Sequence, residues 1–126
     1  MGFFKRFEEI EAWKISKDLA IQIYQITSRN DFAKNWSLRD QMQRSAVSIS
    51  SNISEGFERG TNKEFIRFLY IAKGSSGKLR NQLYIARELR YIQQGDFEAL
   101  MNKVLHVSSL IANLIKYLKL KSEGRP

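Results

Sequence analysis

Gln41, Arg44, Ser45, Ser48, Asn52 and Glu55 are the residues best placed by type and spacing to do chemistry. They recur at helical intervals beside the apolar Met42, Ala46, Ile49 and Ile53, so a helix would carry them as a polar stripe along the edge of a buried face. A guanidinium, amides, hydroxyls and a carboxylate in one line could hold a ligand or position a partner's backbone. The same stripe, hydrogen-bonded inside a bundle, fixes the register of one helix on another, and this structural role is the favoured reading. Arg44 and Glu55 lie about 16 Å apart at about 1.5 Å of rise per residue, too far to pair.

Catalytic patterns are missing elsewhere. His106 is the single histidine, and it falls opposite the apolar Phe97, Val104 and Ile111, facing outward. The chain has no cysteine, which excludes disulfides and thiolate chemistry. One histidine makes no transition-metal site, and the Glu-x-x-His pairs of a di-iron bundle are absent. Gly74-Ser-Ser-Gly77 lies within a helical pattern rather than after a strand, so it is no phosphate loop or dinucleotide fingerprint, and no serine elbow occurs. The expectation is a protein with no catalytic residue, no metal and no cofactor, and therefore not an enzyme.

Charge is the stronger signal. Lys and Arg number 21 against 13 Asp and Glu, a net +8, with an isoelectric point near 9.9. Between Asn62 and Arg90, seven basic and two acidic residues leave +5. Lys63, Arg67 and Lys78 fall on one side of that segment, and Lys73, Arg80 and Arg87 on another. These six are the candidate nucleic-acid-binding residues, neutralising phosphates without reading bases. Lys119, Lys121 and Arg125 are secondary candidates. A solvated charged face is the ordinary alternative.

The elements that must position these residues are helical. At 126 residues, with 43% apolar and 27% charged side chains, the chain reads as one globular domain, 1–126. Apolar periodicity predicts helices over about 7–28, 36–55, 62–91 and 96–119. Ser37 and Asp40 have capping spacing, Gly56 and Gly60 free the backbone to turn, and Thr61-Asn-Lys-Glu64 has the capping-box spacing. Gly95-Asp96 marks the last turn and cap. Trp13, Ala20, Ile23, Tyr24 and Thr27 form the buried face of the first helix. Phe97, Leu100, Val104, Ile111, Leu114 and Leu118 form that of the fourth. No segment reads as a strand, and the short connections predict an all-α, antiparallel up-down-up-down four-helix bundle.

The third helix has two faces. Phe65, Phe68, Ala72, Leu79, Leu83 and Ala86 share the bundle-facing sector. Ile66, Tyr70, Gly77 and Tyr84 form a second line, flanked by Gly74 and Asn81, with Tyr70, Gly77 and Tyr84 at heptad spacing. An exposed aromatic line broken by glycine would leave apolar surface in water, so Ile66, Tyr70, Gly74, Gly77 and Tyr84 are the candidate oligomer interface. The alternative is that the tyrosines cover helices of the same chain and glycine relieves crowding there.

RSAVSISSNISEG, then NKEFIRFLYIAKGSS and QLYIARELRYI, resemble the four-helix-bundle proteins of the 23S rRNA intervening-sequence family, from roughly Phe7 to Leu118. The resemblance extends to accessory proteins of diversity-generating retroelements. It implies a homopentamer with a basic surface and, in the retroelement branch, binding to RNA and a reverse transcriptase; it does not imply an enzymatic activity. Lys78 stands where relatives commonly carry Glu, which adds positive charge. Ser50 stands where they often carry Pro, which straightens the second helix.

The first residues, MGFFKRFEEIEAW, contain no apolar core of a signal peptide, and no apolar run reaches the roughly 18 residues that span a bilayer. The expected location is the cytoplasm, without membrane contact. The reading is a non-enzymatic homo-oligomer, pentameric by resemblance, that binds RNA or other nucleic acid through basic surfaces. The alternative is a protein-interaction scaffold that docks a partner such as a reverse transcriptase, with nucleic-acid contact secondary.

Overall fold

The computed structural model describes residues 4–122. Four helices follow one another: α1 (Glu11–Thr27), α2 (Trp36–Glu58), α3 (Asn62–Glu88) and α4 (Gln94–Ser122). Neighbours in sequence pack on one another, most extensively α2 on α3, and α4 returns against α1. The result is an all-α four-helix bundle with short connections, as the periodicity predicts.

Each helix buries one stripe. Leu19 and Ile23 of α1, Met42, Ile49 and Ile53 of α2, Leu69, Leu79 and Leu83 of α3, and Val104, Val107 and Ile111 of α4 have no exposure. Removing side chains of this size from water contributes about 1.5–3 kcal/mol each. All six residues expected on the inner face of α3 are buried. Tyr24 is not on the inner face of α1 as expected: it is 47% exposed. Trp13 and Leu114 are half-buried.

Aromatic pairs close the two ends. At one, Phe32 stacks on Tyr91 with centroids 5.1 Å apart, and Asn35 Nδ2 donates to the Tyr91 hydroxyl at 3.2 Å. At the other, Phe57 and Phe65 meet edge to face at 5.8 Å.

Helix boundaries depart from the periodicity at several places, each for a visible reason. The first helix does not run from Phe7. A 3-10 turn at Phe7–Glu9 is followed by extended Ile10 (φ −79°, ψ 122°), whose buried side chain takes the backbone out of the helix before α1 starts. The connection at 29–35 contains a 3-10 segment, Asn30–Lys34, that inserts Phe32 into the core. Asn35 caps α2, its Oδ1 accepting from the Leu38 amide at 3.1 Å, and Ser37 already lies within the helix.

Gly56 makes no turn. It lies inside α2, where the two helices approach, and the chain turns at Gly60 (φ +88°). Thr61 caps α3 as expected, accepting from the Glu64 amide at 3.2 Å. That helix stops at Glu88 rather than Tyr91. Arg90 adopts a left-handed φ of 63°, and the Tyr91 amide donates back to the Ala86 carbonyl at 2.9 Å, a standard helix-ending arrangement. Helix α4 begins at Gln94, so Gly95 and Asp96 belong to its first turn.

Candidate nucleic-acid interface

The six basic residues expected to meet phosphate differ in how free they are. Lys63, Lys73 and Lys78 are exposed, and no acidic side chain pairs with them in an ion pair among the described residues. Arg67 is engaged by Glu64, Nε to Oε2 at 2.9 Å, and sits over the Phe68 ring at 4.6 Å. The hydrogen bond from Arg67 holds the Glu64 carboxyl below its ordinary range, helped by the charges of Arg67, Arg59 and Lys63. Arg87 is held at 3.3 Å by Glu88 and lies 4.3 Å above the Phe97 ring of α4. Arg80 is half-buried with an unpartnered Nε. Lys78 lies on the flank of α3 toward α2, whereas Arg87 leans on α4, so the six do not form one patch.

Among the secondary candidates, Lys119 donates to the Tyr70 hydroxyl at 2.6 Å and Lys121 lies 5.9 Å from the Tyr117 ring. Arg125 lies outside the described residues.

The aromatic line of α3 makes contacts within the chain yet remains open. Tyr84 packs on Phe97 at 5.3 Å, and Tyr70 carries Lys119, but the two tyrosines are 47% and 48% exposed. Ile66 is half-buried against the core. Gly74 and Gly77 are exposed, and a Cβ placed on either meets no atom within 4 Å. Crowding inside this chain therefore does not require glycine at either place.

A groove of about 560 Å³ runs between α2 and α3. Its α2 wall is Leu38, Gln41, Arg44, Ser45 and Ser48, and its α3 wall is Ser75, Lys78, Asn81, Gln82 and Ile85. No acidic residue lines it. Ser48 and Ser75 join the walls at one end, hydroxyl to hydroxyl at 2.9 Å, and Asn52 donates to Ser48 at 2.9 Å. The Ser48–Ser75 bond ties α2 to α3, whereas the Asn52–Ser48 bond stays within α2. Glu55, the last member of the stripe, instead pairs with Arg59 at 2.9 Å.

Gln82, Asn81 and Ser75 are absent from the residues expected to bind. A signal for them exists in the spacing: Ser75, Lys78 and Gln82 follow one another at i, i+3 and i+7, the α3 counterpart of the polar stripe on α2.

A family model described as 23S rRNA-intervening sequence protein matches residues 8–113. The chain belongs to this family. The fold is shared with a protein of unknown function from the S23 ribosomal protein family of Bacteroides thetaiotaomicron, known from a crystal structure. The two are 24% identical with a TM-score of 0.76, and the match covers 83% of this chain and 98% of that one. No curated protein matches the sequence. Among the described residues of this intervening-sequence family member, no helix is long and apolar enough to cross a membrane.

Proposed function

We propose that this protein is a non-enzymatic homo-oligomer that binds RNA by neutralising phosphates along α3 and the adjoining edge of α2. The observation that carries the reading is the set of Lys63, Lys73, Lys78 and Arg44, none held by an acidic side chain among the described residues. Ammonium and guanidinium groups without an internal partner are free to displace counterions from a polyanion.

Self-association is supported by Gly74 and Gly77. Each costs about 1 kcal/mol in a helix relative to alanine, with no compensating contact inside the chain. A neighbouring subunit approaching that face closely would supply the compensation. Five copies is the number that the family resemblance implies, and a ring would repeat weak phosphate contacts into avidity.

Light scattering coupled to size exclusion, at low and high salt with and without a structured RNA, tests both parts. The expected result is an oligomer that shifts with RNA at low salt and releases it at high salt. Lys63→Glu with Lys73→Glu is expected to weaken RNA binding while helicity stays intact. A monomer indifferent to RNA, or unchanged affinity in the double variant, would overturn the reading.

A second reading, docking of a protein partner, is favoured by Ile71 and Ile85, each 42% exposed near the same face. An apolar interface of that kind survives added salt, which separates it from phosphate binding.

A further inference from the structure

One end of the bundle carries two guanidiniums on a single ring. Arg59 caps the end of α2 and lies 4.8 Å from the centroid of Phe68. Arg67 of α3 lies 4.6 Å from the same centroid. Phe68 is 6% exposed, so the core fixes the ring, and the attraction of cation for ring face holds both side chains beside it. Glu64 joins the two cations. Its Oε2 accepts from Arg67 Nε at 2.9 Å, and its Oε1 stands 3.7 Å from Arg59 Nη1. Glu55 takes Arg59 Nη2 at 2.9 Å.

A network of surface ion pairs is the plain structural explanation, and it accounts for the arrangement poorly. The side chains of Arg59, Arg67 and Glu64 are 46%, 56% and 36% exposed, and ion pairs that open to water contribute little to stability. Holding two long side chains still costs them their rotamer freedom. Both terminal nitrogens of Arg67 also lack a hydrogen-bond partner among the described residues. Lys63, next to Glu64 in sequence, is exposed and adds a further positive charge.

The carboxylate in contact with both arginines shows what the pair accepts, an oxyanion. A second carboxylate would only repeat the contacts of Glu64. A terminal phosphate group carries about −1.5 to −2 charge at neutral pH and three acceptor oxygens, enough to engage both arginines, and the arginine fork matches phosphate with two parallel hydrogen bonds.

We propose that Arg59 and Arg67, braced on Phe68, form a seat for one terminal phosphate group, which enters by displacing the Glu64 carboxylate. The inference rests on the RNA-binding reading only where that phosphate is the end of an RNA strand. A free phosphate compound presents the same dianion, and the test separates the two.

Isothermal titration of the intact protein at low salt, with inorganic phosphate and with one short single-stranded RNA made with and without a 5′-phosphate, provides that test. Inorganic phosphate is expected to saturate one site per chain. Glu64→Gln should tighten it at least threefold by removing the competing carboxylate. Arg59→Lys and Arg67→Lys, which keep the charge and lose the fork, should each weaken it at least fivefold with unchanged circular dichroism. Tighter binding of the 5′-phosphorylated strand, lost in Arg67→Lys, supports the seat and places an RNA end in it. Equal binding of the two strands beside saturable phosphate binding supports a seat for a free phosphate compound. Phosphate that does not saturate, or lysine variants that bind it like the parent, would overturn the proposal. RNA still held through Lys63 and Lys73 in that case would leave the phosphate surface standing without the seat.

Discussion

A Cβ on Gly56 would lie 2.6 Å from the Cβ of Phe68. The glycine sits inside α2 at its closest approach to α3, beside the Phe57–Phe65 pair that closes that end of the bundle. Its missing side chain is what allows the two helices to touch there. A second neighbour, Phe65, would stand 3.2 Å away, so the added methyl group has no easy escape. Gly56→Ala is expected to lower stability by about 1–3 kcal/mol, the usual cost of overpacking a core. Chemical denaturation would register this as a lower midpoint at unchanged slope. An alanine variant as stable as the parent would show that the helices separate there at little cost.

Gly74 and Gly77 should behave in the opposite way. With no atom within 4 Å of where a Cβ would stand, alanine at both positions gains helix propensity worth about 1 kcal/mol each. The dissociated chain should melt at a higher temperature. If a neighbouring subunit packs on this face, the same methyl groups should weaken self-association. The expected outcome is therefore a split, with dilution-dependent light scattering showing loss of oligomer while the chain itself gains thermal stability. Alanine that stabilises the chain and leaves assembly untouched would move the subunit seam elsewhere.

Which features are legible in the sequence follows from how local their causes are. The inner stripe of α3 and the Thr61 cap depend on spacing within a few residues, and both are as the spacing predicts. Ile10 breaks the first helix because the core takes its side chain, and Asn35 wins the cap of α2 because the chain enters from the segment that buries Phe32. Neither cause is present within a helical window. Gly56 misleads for the same reason, since a glycine near a helix end resembles a stop until the facing Phe68 is known. The polar stripe of α2 is legible, but Gln82 is hidden because it borders the apolar sector that its neighbours Leu79 and Leu83 define. Only the pairing of α2 with α3 shows that Gln82 and Arg44 share a groove.

Glu64 couples stability to acid. Its folded pKa is lowered from 4.5, first by the hydrogen bond from Arg67. The unfolded chain therefore takes up the proton at a higher pH than the folded one. The contribution of this carboxylate is present above pH 4.5 and is lost as the pH falls through the lowered folded value. Glu64→Gln should flatten that part of the acid-unfolding profile, modestly because the group is exposed and screened. It also frees Arg67 and removes an acid that stands 3.7 Å from Arg59. RNA affinity at low salt should rise, as measured by filter binding, and fail to rise if this end of α3 lies away from the RNA.

Arg90 occupies a left-handed conformation, φ 63°, that ends α3 through the Tyr91–Ala86 hydrogen bond. An L-residue with a Cβ pays about 1–2 kcal/mol there. Glycine avoids this but loses more freedom on folding, so Arg90→Gly should stabilise by about 0.5–1 kcal/mol net. Thermal unfolding checks the sign. A lower melting temperature would mean that the Arg90 side chain contributes more than its backbone conformation costs.

Gln82→Met tests what the α2–α3 packing asks of one buried residue. Methionine has a similar length and no polar atom, so the orphaned carbonyl oxygen disappears from the α2–α3 packing. A buried acceptor without a partner costs about 1–3 kcal/mol, and replacing it by an apolar group of similar shape should leave stability equal or higher by about 1 kcal/mol. A glutamine kept only for packing would show the reverse, a fall in the denaturation midpoint through lost hydrogen bonds or a misfitting thioether. Higher stability would be the signature of a polar side chain that the α2–α3 packing tolerates and does not need.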